Sequence, residues 1–190
     1  TERRIPGCYY LFVRAPGTPR HLNDCKSNVL HPRIDWRLFR EMAAEGTEFG
    51  LHASIHAQAE VGRLTEARGL IESRLGLPLS GVRHHYWALD WHQPHATFRR
   101  QAEAGFDYDS SIAWRETAGL RAGTCHPFPA WDESRECATD FIEVPCALMD
   151  SHVLDAGEDP QHGVEQAQTL IRRIKDCGGV AVLNWHTETA

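Results

Sequence analysis

The sequence has little of what marks several common protein classes. It has no basic excess. The formal net charge is −6 and the pI is near 6.0, so it offers no electrostatic footprint for nucleic acid. No apolar run approaches the roughly 20 residues of a membrane-spanning helix. The six cysteines form no C-x-x-C pair and no compact cluster, which argues against a zinc ribbon. Cys8, Cys146 and Cys177 fall in apolar contexts and are expected to be reduced core residues. No G-x-S-x-G surrounds Ser110 or Ser111, so they are not expected to act as a nucleophile. No internal repeat, low-complexity tract or secretory leader is visible. The chain does not begin with Met, and its abrupt ends read as those of a piece of a longer protein. Unpaired cysteines without a leader lean toward the cytoplasm. Oligomeric state is not legible.

What is present fits one α/β domain over 1–190. The hydrophobic fraction is 42%, enough for a single core. Strands are expected at Cys8–Val13, Thr47–His52, Gly81–His84, Phe106–Ile112, Phe141–Leu148 (with Pro145 inside it) and Val180–Trp185. Helices are expected after Asp35, from Ala57 to about Leu75, from Pro94 to Ala104, and around Val164 to Ile174. Pro16–Pro32 reads as a loop. Ala113–Asp140 reads as a long connection, a length that is often functional. Strand alternating with helix argues for a parallel sheet or barrel. In such folds ligands gather at the C-terminal ends of strands.

Twelve histidines are roughly two to three times ordinary usage, and three stand where strands end. His52 and His56 flank a strand-to-helix turn, and two neutral imidazoles suit zinc or a similar divalent ion. The competing reading is one histidine bonded to backbone and one exposed at a helix start. Arg83 is suited to holding a carboxylate bidentately, or to a structural ion pair. Asp109 is read equally as its partner, a ligand or a turn cap. His186, after the last strand, suits a general acid. Trp185 is read as a pocket wall or as core. The loop from Gly119 to Phe128, with Arg121 in it, is read as a ligand contact or plain surface.

Taken in order, these segments resemble the polysaccharide deacetylases, carbohydrate esterase family four. Gly50-Leu51-His52-Ala53-Ser54-Ile55-His56 is similar to the family's H-[ST]-x-x-H metal motif, with Ala53 at the Ser/Thr position. Gly81-Val82-Arg83 before His84-His85-Tyr86 resembles its R-x-P-Y motif. Gly105-Phe106-Asp107-Tyr108-Asp109-Ser110-Ser111 resembles a G-[FY]-x-Y-D-S-[ST] segment. Leu183-Asn184-Trp185-His186 resembles its L-x-H motif. The family's strand ending in two aspartates, which supplies a catalytic base and a third metal ligand, has no counterpart here; it is expected upstream of Cys8, so either the chain is trimmed past it or the protein lacks it and does not catalyse the family reaction.

The resemblance implies a distorted (β/α) barrel lacking its N-terminal portion. It implies metal-dependent removal of acetyl groups from N-acetylated sugars or polysaccharide. The metal is expected to be zinc, with cobalt, nickel or manganese as substitutes, held by His52 and His56. His186, Arg83 and Asp109 are the implied catalytic residues. Tyr86, Trp185 and Arg121 are candidate sugar contacts. The alternatives are a non-catalytic carbohydrate- or metal-binding barrel, and a metal-dependent hydrolase of non-sugar amides or esters.

Overall fold

The computed structural model describes residues 7–14, 28–154 and 160–186. Most of the expected loop at 16–32 lies outside them. Six strands form one sheet. They are β1 (Cys8–Phe12), β2 (Glu48–Ala53), β3 (Gly81–His84), β4 (Tyr108–Asp109), β5 (Phe128–Asp132) and β6 (Cys137–Glu143). Their spatial order is β1-β2-β3-β4-β6-β5, parallel except for the β5–β6 hairpin. Two further strands, β7 (Cys146–Met149) and β8 (Val182–Asn184), pair in parallel as a second sheet. The α/β class and mostly parallel pairing expected from the sequence are present. No strand pairing joins the two sheets among the described residues, so closure into a barrel is not shown.

Side-chain alternation gives the six-stranded sheet two unlike faces. Leu51 aligns with Val82, Val82 with Asp109, and Asp109 with Glu143. That row belongs to the face covered by α2 (Val61–Leu75) and α3 (Pro94–Glu103), whose Leu64, Ile71 and Phe98 join Leu51 and Val82 in the main core. The next row, Phe12–His52–Arg83, belongs to the opposite face. Two glycines make room there. A Cβ on Gly50 would stand 2.7 Å from the Tyr10 ring, and one on Gly81 would collide with the Tyr108 ring. The two tyrosines lie in those gaps with their hydroxyls 3.3 Å apart.

Several expected boundaries shift. The helix α1 (Trp36–Ala44) begins at Asp35, whose Oδ1 accepts the Arg37 N–H at 3.0 Å, as its capping chemistry predicts. The helix expected from Ala57 begins as a 3-10 turn, Ile55–Ala59, and becomes α-helical only at Val61. The strand expected at Phe106–Ile112 pairs only over Tyr108–Asp109. The one expected at Phe141–Leu148 breaks at Val144-Pro145, where the chain leaves one sheet for the other. Pro145 has no N–H to give a ladder. The region read as a long connection contains the β5–β6 hairpin. Two further helices are α4 (Asp150–Leu154) and α5 (Pro160–Asp176). Of the three cysteines expected in the core, Cys146 is fully buried, Cys8 is half-buried, and Cys177, beyond the end of α5, is exposed.

Candidate active site

The C-terminal ends of β2, β3, β7 and β8 surround a pocket of about 340 Å³ whose walls include His52, Arg83, His85, Tyr86, Asn184 and His186. His52 is the last polar residue of β2. Its Nδ1 lies 3.1 Å from the Arg83 carbonyl oxygen. A carbonyl only accepts, so Nδ1 carries the proton and Nε2 the lone pair. His52 Nε2 stands 3.0 Å from His85 Nδ1, and in the neutral pair His85 is therefore the donor. Burial, with the neighbouring His85 and Arg83, lowers the His52 pKa to about 3. This imidazole is neutral at physiological pH, and its Nε2 lone pair accepts the His85 N–H.

Arg83 is buried and reaches across to the second sheet. Its Nε and Nη2 donate to Ser110 O (3.0 Å) and Oγ (2.8 Å), and its Nη1 donates to Asn184 Oδ1 (2.9 Å). Its guanidinium lies 4.3 Å from the Tyr10 ring centroid. These are hydrogen bonds to neutral groups, and among the described residues Arg83 makes no ion pair with Asp109. Register explains why. Asp109 pairs with Val82, so the two side chains leave opposite faces of the sheet. Asp109 is fully buried against α3, where Gln101 Nε2 (2.7 Å), Ser111 Oγ (2.8 Å) and Ser111 N (2.6 Å) donate to it. Glu143 is buried beside it. Burial and the Asp109 charge push the Glu143 pKa well above its ordinary value, and its Oε1 accepts the Ile112 N–H at 3.0 Å. Asp109 thus supports the wall rather than lining the pocket.

His186 follows β8, and its partner is a residue that the sequence reasoning passed over. Asp150 lies directly after β7, which pairs with β8 so that Met149 faces Asn184. The buried carboxylate accepts the His186 backbone N–H at Oδ2 (2.9 Å) and receives the ring Nδ1 at 2.9 Å and 3.0 Å. Nδ1 carries a proton toward the carboxylate, so proton exchange at this ring goes through Nε2. A signal for Asp150 was available: it is an acidic residue at a strand end, the same criterion that singled out His186.

The turn after β3 is strained. Tyr86 (φ 58°) and Trp87 (φ 54°) both have left-handed backbone conformations, which cost an aromatic residue about 1–3 kcal/mol each. The Tyr86 ring packs edge-on to His85 at 4.6 Å and lies under the Arg115 guanidinium, also at 4.6 Å. His84 points to the helix-covered side and is 1% exposed. Burial lowers its pKa, and neither ring nitrogen has a hydrogen-bond partner among the described residues.

The remaining expected contacts are farther out. His56 lines a separate groove with Gln58, Glu60 and Arg63. Trp185 is exposed and is not part of the pocket lining. Arg121 is held between the Trp91 and Trp114 rings, at 3.4 and 4.8 Å from their centroids. No cluster of three His, Cys, Asp or Glu side chains arranged for a metal ion occurs among the described residues.

No family model and no curated protein matches the chain. Among solved structures, it is similar to a crystal structure from Mycobacterium smegmatis described, provisionally, as a polysaccharide deacetylase. The TM-score is 0.54 at 24% identity, over 80% of this chain and 53% of that one. The likeness establishes the fold. The chain spans about half the length of that structure.

Proposed function

We propose that this chain carries the proton-donor side of a metal-dependent carbohydrate deacetylase acting on N-acetylated sugars or polysaccharide. The observation that carries the reading is the Asp150–His186 pair, facing the same pocket as His52 and Arg83. Loss of an acetyl group from an amide requires a proton for the departing amine, and His186 Nε2 is the group to deliver it. Asp150 fixes the ring's tautomer and stabilises the imidazolium that exists before delivery. Arg83 has guanidinium N–H groups beyond its three hydrogen bonds and is suited to a carboxylate that acts as base. Tyr86 offers an aromatic face at the rim for a sugar ring. Trp185 and Arg121 enter this reading only as contacts for a polymer longer than the pocket.

The donor chemistry fits a borderline divalent ion such as zinc at His52, whose Nε2 lone pair is directed by the bond at Nδ1, together with a second imidazole. When bound, such an ion polarises the acyl carbonyl and makes its water acidic.

Acetate release from N-acetylglucosamine oligomers by zinc- or cobalt-loaded protein tests the proposal. His186→Ala is expected to lower kcat by at least about 100-fold, and Asp150→Asn to lower it strongly with KM little changed. Unaltered turnover in both variants sinks the reading. A second reading, a sugar-binding domain without turnover, draws on the lack of a three-residue ligand cluster among the described residues. Oligosaccharide binding by wild-type protein with no acetate release favours it.

A further inference from the structure

We infer that the second imidazole of the ion site is His85, from the strained turn after β3, rather than His56. This inference rests on the metal-dependent reading above. His52 Nε2 and His85 Nδ1 are 3.0 Å apart. Two imidazole nitrogens that ligate one zinc ion at about 2.0–2.1 Å with near-tetrahedral angles stand about 3.3 Å apart. The observed pair is within a few tenths of an ångström of that bite before any ion enters. Both rings line the same pocket. Both pack edge-on against Phe12, at 6.2 and 6.4 Å between centroids, so one apolar wall holds both.

The backbone supplies an independent observation. Two consecutive aromatic residues in the left-handed region, Tyr86 and Trp87, follow His85 directly. Such strain persists where the surroundings enforce it, and it gathers at ligand clamps. Here it turns the chain so that the Tyr86 ring backs His85 at 4.6 Å. His56 belongs to a 3-10 turn, is exposed, and lines the other groove.

Ion binding requires a tautomer change at His85. Its Nδ1 proton, now given to His52, leaves, and one proton is taken up at its Nε2. The ring stays neutral, no net proton is released by the pair, and each of the two facing nitrogens then carries a lone pair.

The test is a zinc titration of the whole protein against a chromophoric chelator, with cobalt absorption as a check on geometry. Wild type is expected to take up one ion. His52→Ala and His85→Ala are expected to weaken it by more than about 100-fold, beyond the loss typical of outer-shell residues, and His56→Ala by less than about threefold. Imidazole ¹⁵N spectra of unmutated protein add a measurement that needs no variant to fold. Zinc is expected to shift His85 Nδ1 and His52 Nε2. The assignment to His85 is overturned if binding survives His85→Ala but not His56→Ala, or if zinc shifts a His56 nitrogen and leaves His85 alone; the metal reading then stands. Wild-type protein that binds no ion overturns both.

Discussion

His52 enters the pocket with one ring nitrogen already committed to the main chain, and this has a measurable pH consequence. An unfolded histidine titrates near 6.5, whereas His52 in the fold has been pushed to about 3. Between those values the unfolded state binds the extra proton. The stability present above pH 6.5 is therefore lost progressively as pH falls toward 3, by at most about 1.4 kcal/mol per unit. In metal-free protein, urea unfolding at pH 7 and pH 4.5 should show wild type losing about 2–3 kcal/mol more than His52→Gln. Glu143, whose shift has the opposite sign, is common to both proteins and cancels. Equal losses remove the account of His52 as a ring kept neutral by burial. At this scale the sequence was readable where a polar residue follows an apolar strand, as with His52, Arg83 and His186. For Asp109 it left a partner of Arg83, a ligand and a turn cap equally open, because strand position alone does not say which face a side chain leaves. The pairing of Val82 with Asp109 puts Asp109 and Arg83 on opposite sides, and Asp109 instead accepts the Ser111 N–H two residues on. His85 was legible as a polar residue just past the strand at Gly81–His84, but no periodicity says which way a residue inside a turn points.

The strands show how small residues position large ones. Gly81 has no room for a side chain beneath the Tyr108 ring, and Tyr108 donates to Glu48 Oε1 at 2.6 Å. Gly81→Ala should cost about 1–3 kcal/mol through overpacking. The same change in a Tyr108→Ala background should cost less than half of that, and a double-mutant cycle of denaturant midpoints measures the difference. Additive costs would mean that the collision is absorbed elsewhere. Helices were legible because caps and periodicity are local: Asp35 before Trp36, Gly76 after Leu75. Strands were found but mis-bounded, because pairing is decided by partners distant in sequence. The β5–β6 hairpin, with its irregular register between Pro129 and Trp131, lacks clean alternation and was read as a connection.

Across the molecule, the alternation of strand and helix was enough to expect a mostly parallel α/β sheet. It was not enough to assign strands to two sheets. That division depends on the break at Val144-Pro145, and the sheets communicate through the Arg83–Asn184 hydrogen bond. Asn184→Leu leaves a buried guanidinium N–H unpaired, at a cost of about 1–3 kcal/mol. Hydrogen exchange should show β7 and β8 losing protection while β1, β2 and β3 keep theirs. Uniform loss would mean that the sheets open as one unit. The same bond spans a long stretch of chain, and synthesis runs from the N-terminus. A nascent chain has made every strand of the six-stranded sheet, with His52, Arg83 and His85 aboard, before Asn184 and His186 leave the ribosome. The His52 and His85 side of the pocket can take shape early, while His186 arrives with the last described strand. On the proposed reading, an incompletely synthesised chain therefore holds both imidazoles before it holds the proton donor.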